Sequence, residues 1–283
     1  MSTGSLTPDD DYQVIVGDAA LELSQFPDAF FQSCITSPPY WGVRDYGIQG
    51  QIGAEGSLGD YIDHLRMVFH EIRRVLRDDG TLWLNIGDTY TSGNRTWRAP
   101  DRKNPARAMK YRPPTPVGLK PKDLVGVPWR LAFSLQEDGW YLRSDIIWYK
   151  PNVRPESVKD RPTQSHEYVF MLSKSDRYYY NHKAGMEPTT DRNALRHGRT
   201  LWTIPTKPNR SSHFAMFPPS LVKRCIDLGS QPGDRIIDPF CGSGTVGLVC
   251  LETNRRFAGI EIKPEYAALA LSRTPWAGGQ PAH

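Results

Sequence analysis

Ser37-Pro38-Pro39-Tyr40 follows directly on the apolar run Phe31–Ile35 and Thr36. Neither proline can donate a ladder hydrogen bond, and Pro38 pushes Ser37 out of the helical region. A strand must therefore end there in a stiff, extended loop that sets a hydroxyl, bare carbonyls and an aromatic ring side by side. That arrangement suits the gripping of a flat polar ring. An exocyclic aromatic amine is a poor nucleophile, because its lone pair is delocalised into the ring. Two acceptors aimed at its two N–H bonds draw the nitrogen towards tetrahedral geometry and stabilise the charge that develops as it is alkylated. Ser37 Oγ and the Pro38 carbonyl are candidates for that pair. The rigid ring of Pro38 fixes where its carbonyl points, Pro39 stiffens the loop further, and Tyr40 is placed to stack on the gripped ring. Trp41 reads as a packing residue.

A second stretch, Arg235–Thr245 (RIIDPFCGSGT), reads as a strand, a turn and a helix start. Gly242, Gly244 and Gly247 run as G-S-G-T-V-G, which lets backbone approach a ligand and exposes N–H groups at a helix N-terminus. By itself that spacing is weak and also fits a tight structural turn. Asp238 and Pro239 add a carboxylate at the strand end. Glu261 closes the next strand 23 residues later, about where an acid takes a ribose hydroxyl pair. No Lys-Ser/Thr follows the glycines, so a P-loop is excluded. An acidic loop without a matching base suits a cationic nucleoside, and S-adenosylmethionine carries a sulfonium, an amino group and an adenosine.

These loops need strands to hold them. Val14–Val16, Phe30–Ile35, Thr81–Ile86, Tyr141–Trp148, Glu167–Leu172, Arg235–Ile237 and Phe257–Ile262 are the strand candidates. Ser57–Arg77 is the best helix, with a capping box at Ser57 and Asp60 and an exit at Gly80. Pro128–Gln136, Phe217–Leu228, Gly244–Glu252 and Pro264–Ser272 are further helices. Strands alternating with helices predict an α/β fold with a mostly parallel sheet covered on both faces. In such a sheet ligands sit at the C-terminal strand ends near a topological switch point. The two loops, with Asp18 at a third strand end, are therefore expected to share one crevice.

The chain has 283 residues, 39% hydrophobic content and a net charge of +4. This fits one large domain with a packed core. No apolar run approaches the roughly 18 residues of a membrane span, and the N-terminus has no signal-peptide pattern. Cys34, Cys225, Cys241 and Cys250 lack paired spacing and read as reduced thiols. Cys241 reads as a small filler rather than a nucleophile. No cysteine follows a proline, which argues against methylation of a ring carbon. His64, His70 and His166 are not spaced as metal ligands. Charge is uneven: Thr91–Asp123 holds nine Lys/Arg against two Asp, and His182–His213 holds six against two acids. Two basic, aperiodic stretches in a nearly balanced chain point to a polyanion partner.

Together these motifs resemble the DNA amino-methyltransferases of the group that carries the catalytic loop first and the cofactor loop last. TSPPYW matches their catalytic loop and DPFCGSGT their cofactor loop. Gly17-Asp18, His166–Phe170 (HEYVF) and Ser212–Pro218 (SHFAMFP) match lesser signatures. The resemblance implies a seven-stranded Rossmann-like sheet with one reversed edge strand, in a single domain over residues 1–283. It implies transfer of a methyl group from S-adenosyl-L-methionine to the amine of a base in double-stranded DNA. By resemblance Ser37, Pro38, Pro39 and Tyr40 are catalytic. Asp18 contacts the cofactor adenine, Glu261 its ribose, and Ser212–Phe217, with His213 and Phe217, walls its methionine end. Thr36, Asp238, Pro239, Phe240, Cys241, Gly242, Ser243, Gly244 and Thr245 complete the expected cofactor site. A serine at the head of the tetrapeptide goes mostly with cytosine N4 in this group. Adenine N6 is the alternative, and an RNA or protein-amide methyltransferase or an inactive DNA-binding protein is a second.

Target choice in this group usually lies in a variable region, here about residues 151–210 with Arg192, Arg196, Arg199 and Arg210. The basic insert at about 91–123 is the other candidate DNA clamp, with Arg95, Arg98, Arg102, Lys103, Arg107, Lys110 and Arg112. Restriction–modification systems pair such enzymes with a cognate restriction endonuclease, and a homodimer is a further partner to test. A prokaryotic or phage origin and a cytoplasmic location follow from the same resemblance.

Overall fold

The computed structural model describes residues 11–91, 112–153, 155–189, 194–206 and 218–273. Among these residues ten strands and six helices alternate for most of the chain. The strands are β1 (Tyr12–Val16), β2 (Phe31–Thr36), β3 (Leu76–Ile86), β4 (Tyr141–Tyr149), β5 (His166–Ser173), β6 (Glu187–Pro188), β7 (Leu195–Arg196), β8 (Leu201–Thr203), β9 (Arg235–Asp238) and β10 (Arg256–Glu261). The helices are α1 (Ala19–Leu23), α2 (Leu58–Val75), α3 (Val127–Glu137), α4 (Pro219–Gly229), α5 (Thr245–Glu252) and α6 (Pro264–Ser272).

Eight strands form one sheet in the order β1-β10-β9-β2-β3-β5-β4-β8. Every neighbouring pair is parallel except the two made by β5. The expected reversed strand is therefore present, but it lies third from the edge, and the sheet has eight strands rather than seven. The cause is β4, which packs outside β5, and β8, which adds a further parallel strand through Ile147–Leu201, Trp148–Trp202 and Tyr149–Thr203. Leu201-Trp202-Thr203 is too short to show a period of two in the sequence. β6 and β7 form a separate two-stranded ladder.

The central strands alternate side chains between two buried faces. Cys34, Leu82, Leu84 and Phe170 enter a cluster with Leu65, Phe69 and Ile72 of α2 and Leu131 and Leu135 of α3. Ile35, Trp83, Val169 and Met171 enter the opposite cluster with Leu221, Cys225 and Ile226 of α4 and Val249 of α5. Both faces being covered is why these strands read as unbroken apolar runs. Each fully buried Leu or Ile contributes roughly 1.5–3 kcal/mol.

α2 begins as the sequence indicates, with the Ser57 side chain accepting from Asp60 N at 3.1 Å. It does not leave through Gly80. The chain passes from Val75 straight into β3, and Arg74 covers the junction by donating to Leu23 O and Phe26 O, each at 2.9 Å. The ends of the described chain meet: Tyr12 Oη donates to Ala270 O at 3.2 Å, and Asp11 pairs with Arg256.

β2 leads through α2 to β3 on one side of the sheet, while β9 leads through α5 to β10 on the other. The two departures diverge between β2 and β9, which are direct neighbours. That divergence is the switch point where an open α/β sheet leaves a crevice beyond its strand ends.

Candidate active site

Thr36 is the last residue of β2 and Asp238 the last of β9. Thr36 Oγ1 donates to Asp238 Oδ1 at 2.6 Å, joining segments 202 residues apart. Both side chains are buried, so the bond is made in a low-dielectric setting where it is strong and directional. It places the Ser37-Pro38-Pro39-Tyr40 loop beside the Asp238–Gly244 loop, as the motifs require if they share a pocket.

The catalytic-loop candidates are held from beneath. Tyr61 of α2, fully buried, donates its hydroxyl to Pro39 O at 2.9 Å. Trp41 is buried and donates to Glu55 O at 3.1 Å, the packing role expected of it. Tyr40 is turned so that its hydroxyl donates to Glu167 Oε2 at 2.9 Å. Burial, then the Glu167 charge, raises the Tyr40 pKa well above that of a free phenol, while the neighbouring Ser37 hydroxyl works against the rise. The phenol therefore stays protonated and remains a donor. Gly87 gives the ring its room, since a Cβ there would lie 2.9 Å from Tyr40 Cε2 and 3.2 Å from Glu167 Cγ. Gly87→Ala is accordingly expected to displace the ring and lower turnover about tenfold. Cofactor affinity should be unchanged, as single-turnover assays and calorimetry would register.

On the other wall, Gly242 and Gly244 both have positive φ, 52° and 77°. Their reasons differ. A Cβ on Gly242 would meet open space, whereas one on Gly244 would lie 2.8 Å from Ala270 Cβ, and one on Gly247 2.6 Å from Phe257. Gly242 thus has open space on its Cβ side, while Gly244 and Gly247 let α5 pack closely. Gly242 N and Lys263 N donate to the two oxygens of Glu261, each at 2.9 Å. Asp238 Oδ1 also accepts from Phe240 N at 3.1 Å. Gly17 N bonds to Glu261 O, which brings Asp18 to the same strand-end rim. There Asp18 has a duty the sequence did not disclose: Oδ1 caps α1 by accepting from Ala20 N and Leu21 N. Cys241 is a buried thiol with a pKa well above the usual range because of burial and the nearby carboxylates. A thiol in that state is a filler. Ser243 accepts from Arg273 at 2.8 Å through its carbonyl, and Thr245 starts α5.

The electrostatics of this wall call for a cation. Asp238 is pushed up to about 7, first by burial and also by Glu261, against the pull of Thr36 and Phe240 N–H. Glu261 is raised too, again by burial, although the N–H groups of Lys263 and Gly242 pull it down. Two carboxylates raised by burial, with Glu261 adding to the rise at Asp238, beside an open glycine fit a ligand carrying positive charge. That matches the sulfonium and ammonium of S-adenosyl-L-methionine.

Other expected residues are placed unevenly. Arg112 lies with Pro113 against the catalytic loop: a Cβ on Gly42 would meet Pro113 Cδ at 3.0 Å, and Arg112, Thr89 and Tyr90 line a groove beside Trp41. Arg196 sits on β7, and Arg199 pairs with Glu187 at 3.7 Å. Arg95, Arg98, Arg102, Lys103, Arg107, Lys110, Arg192, Arg210, His213 and Phe217 lie outside the described residues. His64 pairs with Glu55, and His70 with Asp138, on the outer surface of α2. Among the described residues no helix is long and apolar enough to cross a membrane.

The profile of the DNA methylase family, of N6/N4 type, matches residues 31–272. The chain belongs to the N6/N4 DNA methylase family. The methylase is 59% identical over 257 residues to Type II methyltransferase M.XycI of Xanthomonas campestris pv. cyanopsidis, covering 91% of this chain and 85% of that one. It is 58% identical over 262 residues to Type II methyltransferase M.SmaI of Serratia marcescens, covering 92% and 90%. A solved Thermus thermophilus protein described as a DNA modification methylase, complexed with S-adenosyl-L-methionine, aligns at TM-score 0.64. It is 26% identical, with 93% and 94% of the two chains covered. The cytosine-N4-specific PvuII DNA methyltransferase aligns at TM-score 0.67, with 93% and 87% covered, and at 20% identity shares the fold. The methylase is thus a site-specific DNA methyltransferase of the restriction–modification type with a Rossmann-like sheet, and its cofactor is S-adenosyl-L-methionine. That cofactor supplies an electrophilic methyl group on sulfur.

Proposed function

We propose that the methylase modifies the exocyclic N4 of a cytosine everted from duplex DNA. The observation that carries the reading is the 2.6 Å bond from Thr36 to Asp238, with Ser37 next in the chain. Residue 37 supplies a neutral hydroxyl, rather than a carboxylate, next to that junction, which supports the cytosine reading. Ser37 Oγ and the Pro38 carbonyl accept hydrogen bonds from the two amine N–H groups, which localises the nitrogen lone pair and supports the positive charge of the transition state. A hydroxyl can also donate, for example to cytosine N3; adenine offers a ring acceptor beside its amine as well, so it is the serine itself, which goes mostly with cytosine N4 in this family, that favours the reading. Tyr40 forms the aromatic wall. Eversion costs a few kcal/mol, and stacking on one ring returns roughly 1–3 kcal/mol.

Asp238, Glu261 and the backbone about Gly242 hold the cationic and ribose parts of the cofactor, with Asp18 at the adenine rim. His213 and Phe217 are assigned to the methionine end. The basic segments at 91–123 and 151–210 grip phosphates and read base edges, and Arg112 lies in the groove beside Trp41. The whole is a single domain with those two segments as its DNA-facing parts. The test is to express the chain in a host lacking other methylases and to sequence its DNA with base-resolved detection. N4-methylcytosine in one fixed context is expected. N6-methyladenine, or no fixed context, would overturn the assignment.

A further inference from the structure

Glu167 is an enclosed acid in the pocket wall with no part in the chemistry described so far. Its Oε2 accepts from Tyr40 Oη at 2.9 Å and from Asn85 Nδ2 at 3.1 Å, and its Oε1 is ion-paired with Lys150 Nζ. The Lys150 and Glu167 side chains are only 15% and 18% exposed. Lys150 Nζ also lies 4.3 Å over the Trp148 ring, and Asn85 donates again to Tyr168 O at 3.1 Å. Asn85 stands near the end of β3, Lys150 just beyond β4 and Glu167 at the start of β5. Because β5 runs in reverse, all three meet at the rim that carries the catalytic loop.

An ion pair withdrawn this far from water adds little net stability, because desolvation offsets most of the attraction. What it supplies is fixed direction. Both Glu167 oxygens face donors only: ammonium on one side, phenol and amide N–H on the other. With charge and lone pairs matched, the phenol has one resting orientation.

We infer that Glu167, clamped by Lys150 and Asn85, is a positioning residue for methyl transfer that holds the Tyr40 ring as a rigid wall against the target base. This rests on the amine-methylation reading above. A glutamine at 167 cannot replace it, since whichever way it lies its NH2 meets a donor.

The test is a double-mutant cycle on the full chain, with Glu167→Gln, Tyr40→Phe and the pair, using S-adenosyl-L-methionine and duplex DNA carrying the mapped target. Each single variant is expected to lose about tenfold in kcat with the cofactor Kd unchanged. The pair should be no worse than the poorer single within about twofold, because both remove the same contact. Losses that multiply to about a hundredfold would overturn the inference. So would wild-type turnover in either single variant, or loss of cofactor binding in Glu167→Gln, which would make the acid a folding residue. Wild-type turnover and product identity in the same assay test the underlying reading separately.

Discussion

Ser37→Ala is expected to lower kcat roughly 100- to 1000-fold, the usual cost of removing one preorganised acceptor or donor at developing charge. Cofactor binding should survive, because the loop keeps its two anchors, Thr36 to Asp238 and Tyr61 to Pro39. Ser37 is half-buried and its hydroxyl hydrogen-bonds the Tyr40 phenol, a single contact whose loss should shift thermal unfolding by only about 1 kcal/mol. Single-turnover methyl transfer, with calorimetry for the cofactor and a DNA-binding assay, would separate the steps. A variant that binds both ligands and transfers at the wild-type rate would refute the assignment of Ser37.

Asp238 gives the second large effect. Its pKa of about 7 means that a substantial part of the free enzyme carries it protonated near neutrality. A cationic cofactor needs the carboxylate. Affinity should therefore weaken about tenfold per pH unit below about 7 and level off above it, with binding releasing a proton. For the free protein the sign is opposite in consequence. A carboxyl whose folded pKa is raised binds its proton more tightly when folded. Its contribution to stability thus falls as pH climbs from the ordinary Asp range to about 7 and is flat beyond. Asp238→Asn should remove the pH dependence and cost cofactor affinity about 2 kcal/mol or more, roughly 30-fold. Calorimetry in buffers of different ionisation enthalpy would detect the proton release; its absence in the wild type would exclude this role.

The parts of the molecule that are legible in advance are those where local chemistry and tertiary setting agree. Proline and periodicity alone bound α6 at Pro264–Ser272, and apolar runs cut by proline mark β2 and β9. What escapes is set by partners distant in sequence. β8 exists because β4 offers an edge, and the inward place of β5 follows from β4 packing outside it, with β8 beyond. HEYVF is visible as a signature, yet nothing in it reveals that Glu167 receives Tyr40 from 127 residues away. Asn85 and Lys150 look like an ordinary strand residue and a solvated strand end. Gly80 misleads because a glycine after a helix usually marks its exit, whereas here it sits inside a strand where Arg77 O and Gln32 O leave no space for a Cβ. The glycines of the cofactor loop stand out in the sequence, but that two of them serve packing while Gly242 has open space beside it is set by the neighbours Ala270 and Phe257.

The contact between Tyr12 and Ala270 has a topological consequence. Since the two ends of the described chain touch, a short tether could join them, and the polypeptide could be opened between α4 and β9. The cofactor half would then be synthesised before the catalytic half. β2 and β9 would still lie side by side, so the circularly permuted protein would rebuild the same pocket. The order in which the halves are translated is a property of the gene, and the chemistry does not depend on it.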